Sequence, residues 1–224
     1  ELELTPDAAH VYRNIASTYT DNLVDYDKAL EYFTKAIEVQ PDYSYNYEMR
    51  GDFYWDQLKD YDKALADYNK GVELAPEDAD IYYEIGGLYY DINKYDNALT
   101  SFLKVADLVP NYENVYNYIG VIYEKYIKDY DKAIEYYTKE IELNPDADYV
   151  YRNIAWIYTD DLVDYDKALE YFTKAIEVDP DYSLNYEKRG DFYRDYLEDY
   201  DKALADYNKG IELDPKDASL YYQI

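Results

Sequence analysis

Tyr26-Asp27-Lys28-Ala29-Leu30 returns along the chain almost unchanged, as Tyr61 to Leu65, Tyr95 to Leu99, Tyr130 to Ile134, Tyr165 to Leu169 and Tyr200 to Leu204. Successive copies are offset by 35, 34, 35, 35 and 35 residues, and Pro6, Pro41, Pro76, Pro110, Pro145, Pro180 and Pro215 keep nearly the same beat. A fixed period of this size marks a chain whose units bury apolar surface chiefly against their neighbours. The expected units are 7–41, 42–76, 77–110, 111–145, 146–180 and 181–215, read as one solenoid over 1–224.

Each unit carries two amphipathic segments. In the second, Tyr47, Arg50-Gly51 and Tyr54 recur at three- and four-residue intervals, and after a short turn Ala64-Leu65, Tyr68 and Gly71-Val72 do so again. Those intervals place apolar side chains on one helix face, so the unit reads helix, turn, helix. The proline that follows stops the second helix. Ahead of the second helix stands Asp25, Asp60, Asp129, Asp164 or Asp199, positioned to accept hydrogen bonds from the free amides of the first turn; Lys94 takes that place in the shorter third unit. A tighter turn is expected there. In the other units the extra apolar residue (Val24, Leu58, Ile127, Val163 or Leu197) is expected to tuck under the turn.

A longer identity overlies the short one. Tyr12-Arg13-Asn14-Ile15-Ala16 returns as Tyr151 to Ala155, and Asp25 to Val39 returns intact as Asp164 to Val178, both at an offset of 139 residues, so four units form a larger duplicated block. Glu1 to Leu4 matches the end of a helix at Glu140 to Leu143, and Ala218 to Ile224 matches the start of one at Ala79 to Ile85. Residues 1–5 therefore read as the end of a preceding unit and 216–224 as a partial seventh, a piece of a longer array.

Fifty acidic against 22 basic residues give a net charge of -28. Such a surface repels a phosphate backbone or an anionic bilayer, which argues against nucleic acid and membrane partners. The absence of Cys removes disulfides, thiolate nucleophiles and Cys-based zinc sites. No targeting segment is recognised, and the compartment is left open, cytoplasmic by default.

At this resolution of pattern the units resemble tetratricopeptide repeats (TPR). The family's succession of aromatic, Leu-Gly, Tyr, then Ala, aromatic and Pro is met in the third unit by Tyr82, Ile85-Gly86, Tyr89, Ala98, Phe102 and Pro110. The resemblance covers the whole chain and implies an all-α, right-handed α-solenoid of stacked antiparallel helix pairs, with the first helices lining a concave face. Departures are plain. Tyr12, Tyr47, Tyr82, Tyr116, Tyr151 and Tyr186 replace the usual leading Trp, and the small residue of the second helix becomes Val105 in the third unit and Glu140 in the fourth. A buried carboxylate needs a partner, so Glu140 is expected to reach Arg152, and Glu1 to reach Arg13.

Counted from the small residue of each first helix, the inward set is His10, Arg13, Ser17, Thr20 and Asp21; Tyr45, Glu48, Asp52, Trp55 and Asp56; Asp80, Tyr83, Gly87, Tyr90 and Asp91. In the second half it is Asn114, Asn117, Val121, Glu124 and Lys125; Tyr149, Arg152, Trp156, Thr159 and Asp160; Leu184, Glu187, Asp191, Arg194 and Asp195. Aromatics beside carboxylates suit Lys, Arg or Pro side chains of a peptide. The expected binding residues are Tyr45, Glu48, Asp52, Trp55, Tyr83, Tyr90, Asn117, Tyr149, Arg152, Trp156, Glu187 and Arg194. Most of the 36 Tyr are assigned to packing instead, including the series Tyr26 to Tyr200 and the series Tyr19, Tyr54, Tyr89, Tyr123, Tyr158 and Tyr193. The Lys-Asn-Arg clamp by which chaperone-binding relatives grip a terminal carboxylate is not reproduced.

No catalytic constellation emerges. His10 has no Cys partner, no Gly-rich phosphate loop is present, and no loop alternates oxygen ligands for calcium. The sequence is read as a non-catalytic scaffold without cofactor or metal that binds a basic or aromatic and Pro-containing segment. The alternative is a structural element stacking head to tail through its ends.

Overall fold

The computed structural model describes residues 6–216. Its helices are α1 (Pro6–Thr18), α2 (Tyr26–Val39), α3 (Ser44–Phe53), α4 (Tyr61–Leu74), α5 (Ala79–Asp91), α6 (Tyr95–Leu108), α7 (Val115–Ile122), α8 (Tyr130–Leu143), α9 (Asp148–Trp156), α10 (Tyr165–Val178), α11 (Ser183–Asp195) and α12 (Tyr200–Leu213). No strand occurs among the described residues. The fold is an all-α solenoid of antiparallel helix pairs, α1 on α2, α3 on α4 and so on, and it divides between Tyr112 and Glu113 into two compact units of three pairs each.

What brings the helices of a pair together is one aromatic ring on the second helix lying on a small residue of the first. Phe33, Tyr68, Phe102, Tyr137, Phe172 and Tyr207 are all buried. A Cβ added to Gly51 would lie 2.7 Å from the Tyr68 ring, and one on Gly120 would lie 2.6 Å from Tyr137. Glycine there lets the ring approach the helix backbone, so each pair closes on a fixed contact. This ring series is the deepest layer. The two Tyr series assigned to packing sit further out: Tyr54, Tyr123 and Tyr193 are buried, whereas Tyr26, Tyr61 and Tyr165 are half-buried and Tyr200 is exposed. Tyr26 nevertheless ties its turn to the next pair, edge-on to Phe53 and donating to Gln57 Oε1 at 3.0 Å.

The expected caps form. Asp25, Asp60, Asp129, Asp164 and Asp199 each accept from the backbone amide three residues on, and Lys94 offers no side-chain cap. The extra turn residue behaves differently from expectation. Instead of tucking inward, Val24, Leu58, Ile127, Val163 and Leu197 stay in solvent, at 64, 38, 41, 62 and 37% exposure. In four of these five units the chain absorbs the added residue by widening the end of the first helix into a π turn, at Tyr19–Leu23, Tyr54–Leu58, Tyr123–Ile127 and Ile157–Asp161; in the sixth, α11 ends at Asp195 without one and Asp199 N still bonds to Tyr193 O. The closing bonds show the count: Asp25 N to Tyr19 O and Asp60 N to Tyr54 O span six residues, and Lys94 N to Tyr89 O spans five. The third turn is thus tighter, as its length requires.

Glu140 does not reach Arg152. It is buried in α8, where its carboxylate accepts from the backbone amides that open α7, with Asn117 N at 3.2 Å, so the free donors and the positive end of that helix take the place of a cation. Arg152 turns to Asp148 and to Asn185 Oδ1. The corresponding Glu1 to Arg13 contact, and the stacking ends at Glu1 to Leu4 and Ala218 to Ile224, lie outside the described residues; Arg13 donates to Asn46 Oδ1.

Two substitutions test this architecture. Gly120→Val should cost roughly 2 kcal/mol of unfolding free energy by urea titration, because Tyr137, held by a 2.6 Å bond to Glu124, has no room to retreat. Val163 sits at φ 53°, a left-handed conformation that a β-branched residue resists and Asn accepts, so Val163→Asn should gain about 1 kcal/mol.

Candidate functional site

The first helices of the N-terminal unit bring carboxylates together without bringing cations. Glu48, Asp52 and Asp56 follow one another along α3 and its π turn, and Asp80 and Glu84 stand on the neighbouring α5. Among the described residues none of these five makes an ion pair. Asp52 accepts from Tyr68 Oη at 2.6 Å, and Asp80 accepts from Tyr112 Oη at 2.7 Å. Burial first, and then the charges of Asp52, Asp78, Asp80 and Glu84, push the Glu48 carboxyl up to about 8. Burial followed by Asp52, Asp56 and Asp80 raises Glu84 to about 7. Burial raises Asp52 to about 6 against the opposing hydrogen bond from Tyr68. Burial first and the neighbouring carboxylates second thus disfavour the charged forms of Glu48, Glu84 and Asp52, with no cation among the described residues paired to offset them.

Aromatic residues flank it. Trp55 lies across Gly87 of α5, where an added Cβ would come within 2.8 Å of its ring, and its Nε1 donates to Asp91 Oδ2 at 3.0 Å. Tyr83 packs against Tyr112 and Phe102 at 5.0 and 5.7 Å between ring centres, and Tyr90 meets Tyr95 at 5.5 Å. Tyr45 is exposed, with the Arg13 guanidinium 5.2 Å from its ring centre. Beside Asp52 and Asp56 a cavity of about 190 Å³ opens between the first two helix pairs, lined by Phe33, Met49 and Phe53, by Ser17, Thr20 and Gln57, and by Asp21; Glu48 is not in its lining.

In the C-terminal unit the expected site residues are engaged within the chain. Trp156 lies edge-on to Phe172 at 5.1 Å and beside Tyr196, and Tyr149 donates to Asn114 at 3.0 Å. Glu187 pairs with Lys188 at 2.8 Å, while Arg194 pairs with Asp195 at 2.6 Å and Asp191 at 3.3 Å. Asn117 has a buried side-chain oxygen without a hydrogen-bond donor. Glu84, Met49, Lys188 and Tyr196 were missed by counting along single helices; aligning the two copies at their 139-residue offset exposes the last three.

Sequence profiles settle the family. The TPR repeat profile matches residues 56–92 and 86–125, and a second tetratricopeptide repeat profile matches 9–43, 114–147, 149–182 and 185–217. The chain belongs to the tetratricopeptide repeat family. No curated protein matches it by sequence. Among solved structures, this TPR chain is similar to the C-terminal part of a TPR repeat-containing protein from Cytophaga hutchinsonii (TM-score 0.80, 22% identity, covering 100% of this chain and 89% of that one). It is similar to PilF of Pseudomonas aeruginosa (TM-score 0.70, 18% identity, 96% of each chain). It also resembles YrrB, described as a TPR protein with an unusual peptide-binding site (TM-score 0.63, 25% identity, 85% of this chain and 96% of that one). Membership of the family implies a scaffold for protein or peptide partners.

Raised carboxyl pKa values make a pH prediction with a definite sign. The fold binds protons on Glu48 and Glu84 that the unfolded chain, with carboxyls near 4.5, gives up earlier. Stability is therefore greatest at and below about pH 4.5 for these groups and falls as pH rises from there to about 8. Glu48→Gln with Glu84→Gln should flatten that decline between about pH 5 and 8 in thermal melts.

Proposed function

We propose that the protein is a non-catalytic scaffold whose first-helix face in the N-terminal unit binds a basic peptide segment by charge and aromatic contact. The observation that carries this reading is the set of carboxylates, Glu48, Asp52, Asp56, Asp80 and Glu84, gathered without an ion pair among the described residues. Half-buried negative groups left unneutralised raise the free energy of the empty face, and an incoming ammonium or guanidinium relieves it. Trp55, Tyr83, Tyr90 and Tyr45 supply ring faces and edges for the stems of Lys or Arg and for Pro. Tyr149, Arg152, Trp156, Glu187, Arg194 and Asn117 form the corresponding surface of the second unit, where internal ion pairs and ring contacts leave less for a ligand to gain.

Binding should be measured by fluorescence polarisation with labelled Lys- and Arg-rich peptides and with Glu-substituted versions of them. Only the basic series should bind, with affinity falling as salt rises from about 50 to about 500 mM. Because a cation binds the ionised carboxylates, affinity should increase between about pH 6 and 8, and Glu48→Gln with Glu84→Gln should weaken binding about tenfold, roughly 1.4 kcal/mol. Equal binding of the Glu-substituted peptides would defeat this reading.

A further inference from the structure

The duplicated block offers an internal comparison. At the 139-residue offset, Glu48, Asp52 and Asp56 of the first copy correspond to Glu187, Asp191 and Asp195 of the second, and Phe33 and Phe53 correspond to Phe172 and Phe192. The two phenylalanines and the carboxylates are thus the same in both. Three positions that line the cavity differ: Ser17 becomes Trp156, Met49 becomes Lys188 and Gln57 becomes Tyr196; in addition Trp55, which lies on Gly87 in the first copy, becomes Arg194.

Those four changes alter one place. In the second copy Lys188 Nζ lies 2.8 Å from Glu187 and 3.5 Å from Asp191, and Arg194 reaches Asp191 at 3.3 Å and Asp195 at 2.6 Å. Trp156 packs on Phe172 at 5.1 Å, and Tyr196 stacks on Phe192 at 5.8 Å, over the same floor. In the first copy Ser17 and Gln57 leave a cavity of about 190 Å³ above Phe33 and Phe53. The second copy has therefore built in both what fills the cavity and what neutralises its rim.

From this we infer that the cavity between the first two helix pairs is a socket for a single Lys or Arg side chain of a bound peptide, whose stem lies over Phe33, Met49 and Phe53 while its cationic head meets Asp52 and Asp56 as the cations of Lys188 and Arg194 meet Asp191 and Asp195 in the second copy. The inference rests on the peptide-binding reading of the acidic face and adds to it a location, a stoichiometry of one, and a reason why the second copy does not compete. The apolar floor takes the methylene stem, and the half-buried rim takes the charge. Tyr68 holds Asp52 in place at 2.6 Å, as Tyr207 holds Asp191 at 3.0 Å.

The test transplants the second copy's solution into the first. Met49→Lys should occupy the rim and reduce binding of a labelled tetralysine peptide at least tenfold. Asp107→Asn, which changes net charge by the same one unit at a position 78% exposed, should leave binding within about twofold. Ser17→Trp with Gln57→Tyr, which changes no charge, should also reduce binding at least tenfold by filling the cavity. Circular dichroism melts confirm that each variant is folded, and Met49→Lys carries the test if the bulkier pair does not fold. Wild-type binding of tetralysine that Met49→Lys and Asp107→Asn weaken equally overturns the socket and leaves the broader acidic-face reading standing. Failure of the wild type to bind any basic peptide overturns both.

Discussion

The close approach of an aromatic ring to a helix backbone governs the structure. Tyr68 on Gly51, Phe102 on Gly86, Tyr137 on Gly120 and Tyr207 on Gly190 leave no room for a β-carbon at its usual distance, and Phe33 and Phe172 face the alanines Ala16 and Ala155. Once this contact sets the separation of two helices, the remaining side chains of the pair have fixed neighbours. Asn46 shows how one pair then engages the next: buried at the start of α3, it donates to the carbonyls of Ala36 and Gln40 at the end of α2 and accepts from Arg13. Asn185 repeats the arrangement with Ala175, Asp179 and Arg152. Polar groups that a helix end would otherwise leave unsatisfied become the joints between layers.

Periodicity made most of this legible in the sequence. A 35-residue beat of proline, capping Asp and Tyr defines helix pairs because each of those residue types answers a local requirement of helix ends that does not depend on distant contacts. The fate of single residues was harder to read. Val24 and Val163 look apolar and therefore interior, yet the backbone route around the turn puts them outside; Glu140 looks like half of a salt bridge, yet a helix N-terminus nearby in space, though distant in sequence, serves it better. In both cases backbone geometry overrode what side-chain type alone suggests.

The site followed the same division. Placing Glu48, Asp52 and Trp55 along one helix and its closing turn required only the helical repeat. Knowing that Glu84 of the adjacent first helix shares their field required three dimensions. What distinguishes the two copies at the cavity was present in the letters all along, among the differences between the parallel stretches, but the changes at Ser17, Met49 and Gln57 acquire meaning only when Phe33 and Phe53 are seen beside them. Identical scaffolds with one neutralised rim and one bare rim turn a repeat into a pair of unlike surfaces.

The π turns have a consequence for how such a chain changes length. A residue gained or lost within an ordinary helix rotates everything downstream by about 100°, which would swing an apolar stripe into water. Here the surplus residue is swallowed before the capping Asp, and the third pair, lacking it, still closes on Lys94 with its Tyr89 carbonyl. Modules of 34 and 35 residues are therefore interchangeable in register, and this family of helix pairs can grow, shrink or shuffle by whole modules without demanding that their lengths agree.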